Sequence, residues 1–309
     1  MKQYRRILIS FCVMILAAFM TGCASNSETA PAAKENPKKE TDSSPQRIVA
    51  LSVAVAEIFD ALDLDLVGIP TSYKQLPNRY KDAKELGNAK NPDLELMQSL
   101  KPTEVLSLTT LEYDVKPLLD KGKFQSYFVD LTSLEAMMEE ITHFGEKYDR
   151  KEQAAKVNQR FKDKLQEIQG KTAGKDSPYV LILLGIPGSY LVATEKSYIG
   201  DLVKRVGGKN VANGFLKSDS KEEFLASNSE ALYQSDPDII LRLAHGMPDE
   251  VVAMFNKEFK DNDIWKHFTA VKEGKVYDLE EILFPTTGTI RADEALEHLF
   301  QLLYKGKDE

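Results

Sequence analysis

Residues 95–102 read ELMQSLKP, and residues 230–237 read EALYQSDP. In both stretches a Glu opens a short helical segment, because a negative charge favours the positive end of the helix dipole. A Pro ends each segment, since proline lacks an N–H and restrains the residue before it. An apolar run typical of a buried strand follows each Pro, at residues 105–108 and 239–241. One such unit in each half predicts two similar lobes, which usually hold a ligand in the crevice between them.

Apolar runs alternate with helical segments along both halves of the chain. The runs at residues 47–51, 66–69, 126–129 and 179–184 are typical of buried strands. Strands that alternate with helices in this way indicate parallel α/β units. The sequence therefore predicts an α/β fold of two lobes, each with a central, mostly parallel sheet, joined by one long interdomain helix.

That connecting helix is predicted at residues 149–171, which lack Pro and carry apolar residues near one stripe. Such a helix can act as a rigid strut or lie on the surface as an ordinary amphipathic helix, and the pattern favours neither role. The chain then divides into a signal peptide, a flexible tether, an N-terminal lobe, the connecting helix and a C-terminal lobe, at residues 1–22, 23–46, 47–148, 149–171 and 172–309.

The N-terminal segment predicts export. Lys2, Arg5 and Arg6 precede an apolar run at residues 7–19 that is too short to span a membrane. Residues 20–23, MTGC, resemble the lipobox of bacterial lipoproteins, although Met replaces the more usual Leu. The resemblance implies cleavage before Cys23, lipidation of that residue with acyl chains such as palmitate, and anchoring to the outer face of the cell membrane. The alternative is an ordinary secretory signal with an incidental Cys.

Composition excludes several classes of function. Of the two cysteines, Cys12 lies in the predicted signal peptide, so the mature chain has no disulfide, thiolate zinc site or iron–sulfur cluster. The net charge is −8 without a basic stripe, which argues against nucleic acid as a partner. Phosphate-binding loops, zincin motifs and nucleophile elbows are also missing from the sequence, so we predict a protein that is not an enzyme.

One of the four histidines stands out as a candidate ligand. His245 follows the predicted strand at residues 239–242 and precedes a sharp turn, residues 246–248, that would present its imidazole. In α/β folds, ligands sit at the carboxyl ends of strands. The alternative is an ordinary loop histidine. A zinc carrier would need several convergent histidines, and only His245 is suitably placed.

The chain resembles the class III ABC-transporter solute-binding proteins, which carry siderophores, cobalamin and haem. In that family one Glu at the top of each lobe meets an Arg of a permease subunit, and the resemblance carries this role to Glu95 and Glu230. Dipole stabilisation of the two helices is the simpler role for both residues, and the two roles are compatible. Within the family, five stretches are similar to the haem-binding lipoproteins, at residues 68–74, 109–114, 184–195, 242–248 and 265–268.

The resemblance implies that His245 ligates haem iron, which neutral imidazole does well. It also implies a Met from the N-terminal lobe on the opposite face, expected within residues 87–95, where this chain has none. Lys90 takes the expected place and could ligate if deprotonated or bind a haem propionate. The thioether of Met97 is a second candidate, although its spacing suits core packing better. A five-coordinate His site is the third option.

These inferences combine into one predicted function. The chain would be the lipid-anchored, monomeric substrate-binding component of an ABC importer for iron transport, binding haem between its lobes and delivering it to the permease. Upstream haem-donor surface proteins are further partners that this role would allow. A ferric-siderophore carrier of the same class is the alternative. Haem also needs aromatic walls and a few donors, for which we propose loop residues Tyr73, Lys74, Thr109, Thr110, Tyr113, Pro187 and Tyr190.

Overall fold

Two large sheets organise the residues that the computed structural model describes, which are 46–214, 220–226, 232 and 234–306. The first sheet precedes residue 130 in the chain, and the second follows residue 178. Both sheets are built around parallel strands, and helices connect the strands of each. The predicted α/β fold of two lobes is therefore confirmed. Cys23 and Glu230, the predicted lipidation residue and one of the two docking residues, lie outside the described residues.

The N-terminal sheet is parallel throughout its length. Its strands lie in the order β3-β2-β1-β6-β7, and a separate antiparallel pair, β4 and β5, leads into the second helix. β6 is buried along its whole length, as expected for a central strand of a parallel sheet. The strands are β1 Ile48–Ala50, β2 Gly68–Ile69, β3 Lys84–Glu85, β4 Gly87–Asn88, β5 Asn91–Pro92, β6 Glu104–Leu108 and β7 Ser126–Val129.

Capped helices follow the strands of this lobe. Ser52 and Ser133 begin two of them, each accepting a hydrogen bond from the backbone N–H three residues on, at 3.2 and 3.1 Å. Asp93 caps the six-residue helix that carries Glu95, and Pro102 separates that helix from β6 as the repeated sequence unit predicts. The helices are α1 Val53–Ala61, α2 Leu94–Ser99, α3 Glu112–Lys121 and α4 Leu134–Lys147.

The connecting helix, α5, spans Lys151–Thr172. Its buried side chains include Val157, Phe161 and Ile168, which share one stripe and belong to the main hydrophobic core. α5 packs against α1 and α4 of the N-terminal lobe and against the helix at Ala292–Tyr304 in the C-terminal lobe. Because it packs on helices from both sides, α5 has the position expected of a strut.

The C-terminal sheet is mixed. β8, β12 and β13 are parallel, and the short β10 pairs in parallel with the start of β8. On the side of β8 opposite β12, β9 pairs antiparallel with β8, and β11 pairs antiparallel with β9. The sheet is therefore mostly parallel near its centre, as predicted. The strands are β8 Tyr179–Ile186, β9 Ser189–Ala193, β10 Lys209–Asn210, β11 Phe224–Ala226, β12 Ile239–Ala244 and β13 Val276–Leu279.

The helices of this lobe cover both faces of its sheet. At Gly200, a Cβ would lie 1.9 Å from the carbonyl oxygen of Thr194, so only glycine allows this helix to start so close to the preceding turn. Ser197 caps the same helix by accepting from the Gly200 N–H at 3.2 Å. The helices are α6 Tyr198–Arg205, α7 Pro248–Asp261, α8 Thr269–Lys272 and α9 Ala292–Tyr304. Within the described ranges, no helix combines the length and apolar character needed to cross a membrane.

Backbone contacts join the lobes in addition to α5. The Gly288 N–H donates to the Leu131 carbonyl at 2.7 Å, and the Leu134 N–H donates to the Asp201 carboxylate at 2.9 Å. α4 also packs against α6. These contacts fix the start of α4 to the C-terminal lobe, so the two lobes are connected at several points.

Candidate functional site

Two loops at the carboxyl ends of strands meet between the lobes. After β2 the chain reaches Tyr73 and Lys74, and after β13 it reaches Glu281. The Tyr73 hydroxyl donates to Oε1 of Glu281 at 2.5 Å, and the Lys74 ammonium lies 3.2 Å from the same oxygen. We call these three residues the cross-lobe cluster, because its two donors come from one lobe and its acceptor from the other.

The Tyr73 hydroxyl also contacts the loop after β12. The Gly246 backbone N–H donates to it, while the hydroxyl itself donates to Glu281. Desolvation, followed by the hydrogen bond to Glu281, raises the pKa of Tyr73 to about 12. Although 69% of this residue is exposed, its hydroxyl lies between the lobes and remains a protonated donor at neutral pH.

His245 stands at the carboxyl end of β12, as the sequence predicts. Its backbone N–H donates to the Gly185 carbonyl at 2.9 Å, which continues the pairing of β12 with β8. Gly246 and Met247 then take φ values of 69° and 46°, and Pro248 begins α7. A left-handed φ is costly for Met, so this turn is held in a strained conformation that presents His245.

The surroundings of His245 favour a neutral imidazole. Partial burial lowers the pKa of His245 below its ordinary value, Glu281 opposes this effect, and the charges of Lys74 and Lys90 add to it. The side chain still has an exposed surface. A neutral, accessible imidazole has a free lone pair, which is what a metal ligand requires.

The two candidates for a second iron ligand lie in different environments. Lys90 is exposed, with its ammonium 3.3 Å from the Asp114 carboxylate, and its charge acts on His245. Met97 is fully buried among Val49, Leu86 and other residues of the N-terminal core. The structure therefore gives Met97 a packing position, and a ligand would reach it only after that core opened.

The other predicted pocket residues occupy both lobes. Thr109, Thr110 and Tyr113 follow β6 at its carboxyl end, and Tyr113 is 93% exposed. Pro187 is exposed in the β8–β9 turn. Tyr190, by contrast, packs within its own lobe, where its ring centroid lies 5.9 Å from that of Trp265, which in turn stacks on Phe259 at 4.2 Å.

A buried salt bridge supports the loop that carries His245. The guanidinium of Arg242, in β12, bonds both carboxylate oxygens of Asp278 in β13, at 2.8 and 2.5 Å. It also donates to Asn256 at 3.1 Å and lies over the ring of Phe259. Arg242 is only 7% exposed, so this paired charge ties two strands and α7 together beneath His245.

Sequence reasoning missed three residues at this edge. Glu281 completes the cross-lobe cluster, and Met247 and Ile282 expose 54% and 57% of their surface in the loops after β12 and β13. Their position after a strand was the available signal, since the rule that identified His245 applies equally to β13. Together these loops offer apolar surface, one carboxylate, one ammonium and one neutral imidazole, a set that suits an apolar ligand with acidic groups.

The predicted docking residue Glu95 lies in the first turn of α2 and is exposed. Its carboxylate is therefore accessible to a partner, and its position also suits the helix dipole. Among the residues with described positions, no group of three or more His, Cys, Asp or Glu side chains forms a metal site.

Comparisons with known proteins agree on one family. The family described as periplasmic binding protein matches residues 48–283. The High-affinity heme uptake system protein IsdE of Staphylococcus aureus is 47% identical over 296 residues, which cover 96% of this chain and 97% of that protein. The crystal structure of S. aureus IsdE complexed with heme matches with a TM-score of 0.80 and 50% identity, over 85% of this chain and 100% of that one. An ABC transporter substrate-binding protein from Listeria monocytogenes EGD-e matches with a TM-score of 0.78 and 52% identity, over 84% and 99%.

Proposed function

The chain belongs to the periplasmic binding protein family, and from this membership we propose that it carries haem to the permease of an ABC importer. The observation that carries the proposal is the accessible, neutral imidazole of His245 between the lobes, in a chain similar to proteins named for haem uptake. The protein binds and delivers its ligand and performs no reaction on it.

His245 is the proposed ligand of the haem iron. A porphyrin brings four nitrogen ligands of its own, so one imidazole is enough to fix the iron. The salt bridge between Arg242 and Asp278 and the strained turn at Gly246 and Met247 hold that imidazole in place. Aromatic and apolar side chains of both lobes form the proposed walls, including Tyr73, Tyr113, Pro187 and Tyr190 together with Thr109 and Thr110.

Lys90 is the proposed partner of a haem carboxylate. To ligate iron, Lys90 would have to leave Asp114 and lose a proton, whereas binding a carboxylate lets it keep its charge. Binding a carboxylate therefore needs fewer changes at Lys90 than ligating iron does. Since Met97 lies in the core, the iron would then be five-coordinate, with His245 as its one protein ligand. Lys74, in the cross-lobe cluster, is the other proposed carboxylate partner.

Export, anchoring and docking complete the proposal. Lipidation of Cys23 would keep the protein on the outer face of the cell membrane while the tether, residues 23–46, lets it move. Glu95 and Glu230 would each meet a basic residue of the permease. The protein would act as a monomer and could receive haem from surface proteins upstream.

A visible absorption titration with ferric haem tests the proposal on the compact unit, residues 45–309. We expect a saturable one-to-one shift of the Soret band, and His245→Ala to weaken binding by about tenfold or more, which is roughly 1.4 kcal/mol. Lys90→Ala should weaken binding without moving the band. His143→Ala, an exposed histidine stacked on Tyr127, is the matched control. A Soret change that does not saturate as haem is added would overturn haem carriage and favour the ferric-siderophore alternative.

A further inference from the structure

We propose that Glu281 is a built-in competitor for the carboxylate of the carried ligand. In the cross-lobe cluster it already occupies the two donors, Tyr73 and Lys74, that a ligand carboxylate would use. The inference rests on the haem carriage proposed above and adds a residue that sets how tightly the ligand is held and how readily it leaves.

The geometry of the cluster makes Glu281 a substitute for a ligand carboxylate. The Tyr73 hydroxyl and the Lys74 ammonium converge on one oxygen, at 2.5 and 3.2 Å. Only 13% of the Glu281 side chain and 30% of the Lys74 side chain are exposed, so water competes little for either group. Charge-assisted bonds of this kind are among the stronger polar contacts in proteins.

The cluster lies beside the proposed iron ligand. The Tyr73 hydroxyl accepts from the Gly246 N–H, one residue after His245, and the charge of Glu281 acts directly on the imidazole. A haem bound through His245 would therefore bring its carboxylates close to Lys74. Two carboxylates that share one ammonium repel each other, so Glu281 has to withdraw as the ligand's carboxylate arrives.

The exchange is nearly balanced, because one carboxylate replaces another on the same donors. Lys74 also feels the charge of Glu57 from its own lobe, so it is engaged on two sides before the ligand enters. Displacing Glu281 lowers the affinity for the ligand, and the return of Glu281 to Tyr73 and Lys74 favours release. Because Glu281 and its two donors belong to different lobes, release of the ligand and re-formation of this bridge between the lobes occur together.

Haem and its dimethyl ester, in which both carboxylates are blocked, separate this role from a purely structural one. We expect Glu281→Gln to tighten haem binding by about three- to tenfold. Binding of the dimethyl ester should be the same in the variant and in the unchanged protein. Glu152→Gln, an exposed residue of α5 that is not part of this cluster, makes the same change in net charge and should alter neither affinity.

A second set of variants tests whether the gain depends on the two donors. In a background that carries Tyr73→Phe and Lys74→Met, neither donor is left to compete for, so adding Glu281→Gln should no longer tighten haem binding. Circular dichroism and thermal unfolding of each variant check that the fold is retained.

Each outcome of these titrations is decisive. Equal or weaker haem binding by Glu281→Gln overturns the proposal, and so does equal tightening for haem and its ester, since the effect would then be independent of carboxylates. A gain that persists in the background without both donors, Tyr73→Phe with Lys74→Met, also overturns it. If the unchanged protein binds no haem at all, the proposed function itself fails, a result that is distinct from a failure of the Glu281 role.

Discussion

The protonation of Glu57 depends first on its burial and then on charged and polar partners from both lobes. Glu57, on α1, is largely surrounded by protein, and desolvation raises its pKa above the ordinary value. Lys74, Arg291 and a hydrogen bond with Thr289 oppose this rise without cancelling it. Arg291 and Thr289 belong to the C-terminal lobe, so the environment of Glu57 depends on how the lobes are packed.

Glu57→Gln should stabilise the protein at neutral pH. With a folded pKa above the unfolded one, Glu57 contributes stability below pH 4.5, and this contribution is lost as the pH rises through the folded pKa. At pH 7 the charged group therefore costs stability, and the amide removes that cost. We expect the melting temperature to rise by roughly 2 °C at pH 7, and by less at pH 4.

Thermal unfolding followed by circular dichroism at both pH values checks this expectation. Glu139→Gln, at an exposed position in the middle of α4, serves as the control and should leave both melting temperatures unchanged. A lower melting temperature for Glu57→Gln at pH 7, or a difference that does not vary with pH, would contradict it.

Among individual residues, the sequence predicted those that lie directly at the end of a strand or at the start of a helix. The sequence predicts His245 as a ligand because it follows an apolar strand, and Glu95 as a docking residue because it opens the helix of the repeated unit. Glu281 follows β13 in the same way, but its role depends on Tyr73, 208 positions away, and no local pattern encodes that pairing. The burial of Met97 likewise depends on which side of the sheet α2 covers.

Among the elements, α5 shows most directly how a sequence pattern becomes structure. Its apolar residues recur at helical spacing, and the buried members face the cores of both lobes. The predicted start at residue 149 was two residues early, because Asp149 takes a left-handed φ of 57° and α5 begins at Lys151. Asp tolerates that conformation better than most residues, yet its presence alone does not require it.

Phe161→Ala should be strongly destabilising, since this side chain is fully buried at the centre of α5. Removing a buried ring leaves a cavity and typically costs about 3–5 kcal/mol. Denaturant unfolding of the variant measures the free energy. The neighbouring Lys162→Ala, on the exposed face of the same helix, should change stability by less than about 0.5 kcal/mol. Equal losses for the two variants would mean that α5 is not anchored through this stripe.

For the whole molecule, the several lobe-to-lobe contacts limit hinge motion. α5 packs on helices of both lobes, Gly288 bonds the Leu131 carbonyl, and Leu134 bonds Asp201. A wide opening of the lobes would break these bonds as well as bend a 22-residue helix. The sequence predicted the two lobes and their connection, whereas the extra contacts join residues far apart in the chain, which no local pattern pairs.

Small-angle X-ray scattering should therefore show little change when haem binds. We expect the radius of gyration, roughly 18 Å for a folded unit of this length, to change by less than about 0.5 Å. Scattering from the same sample with and without saturating haem provides the comparison. A contraction of about 2 Å or more would show that the lobes move as hinged bodies, in the manner of ligand-closed domains.

The aromatic packing around Trp265 gives the molecule an internal optical reporter. Trp265 is the single tryptophan of the chain, fully buried, stacked on Phe259 and in edge contact with Tyr190. Its emission therefore comes from one defined place in the lobe that carries His245. A porphyrin held nearby would quench that emission through resonance energy transfer. Arrival and departure of the ligand could therefore be timed in a stopped-flow instrument without attaching a dye.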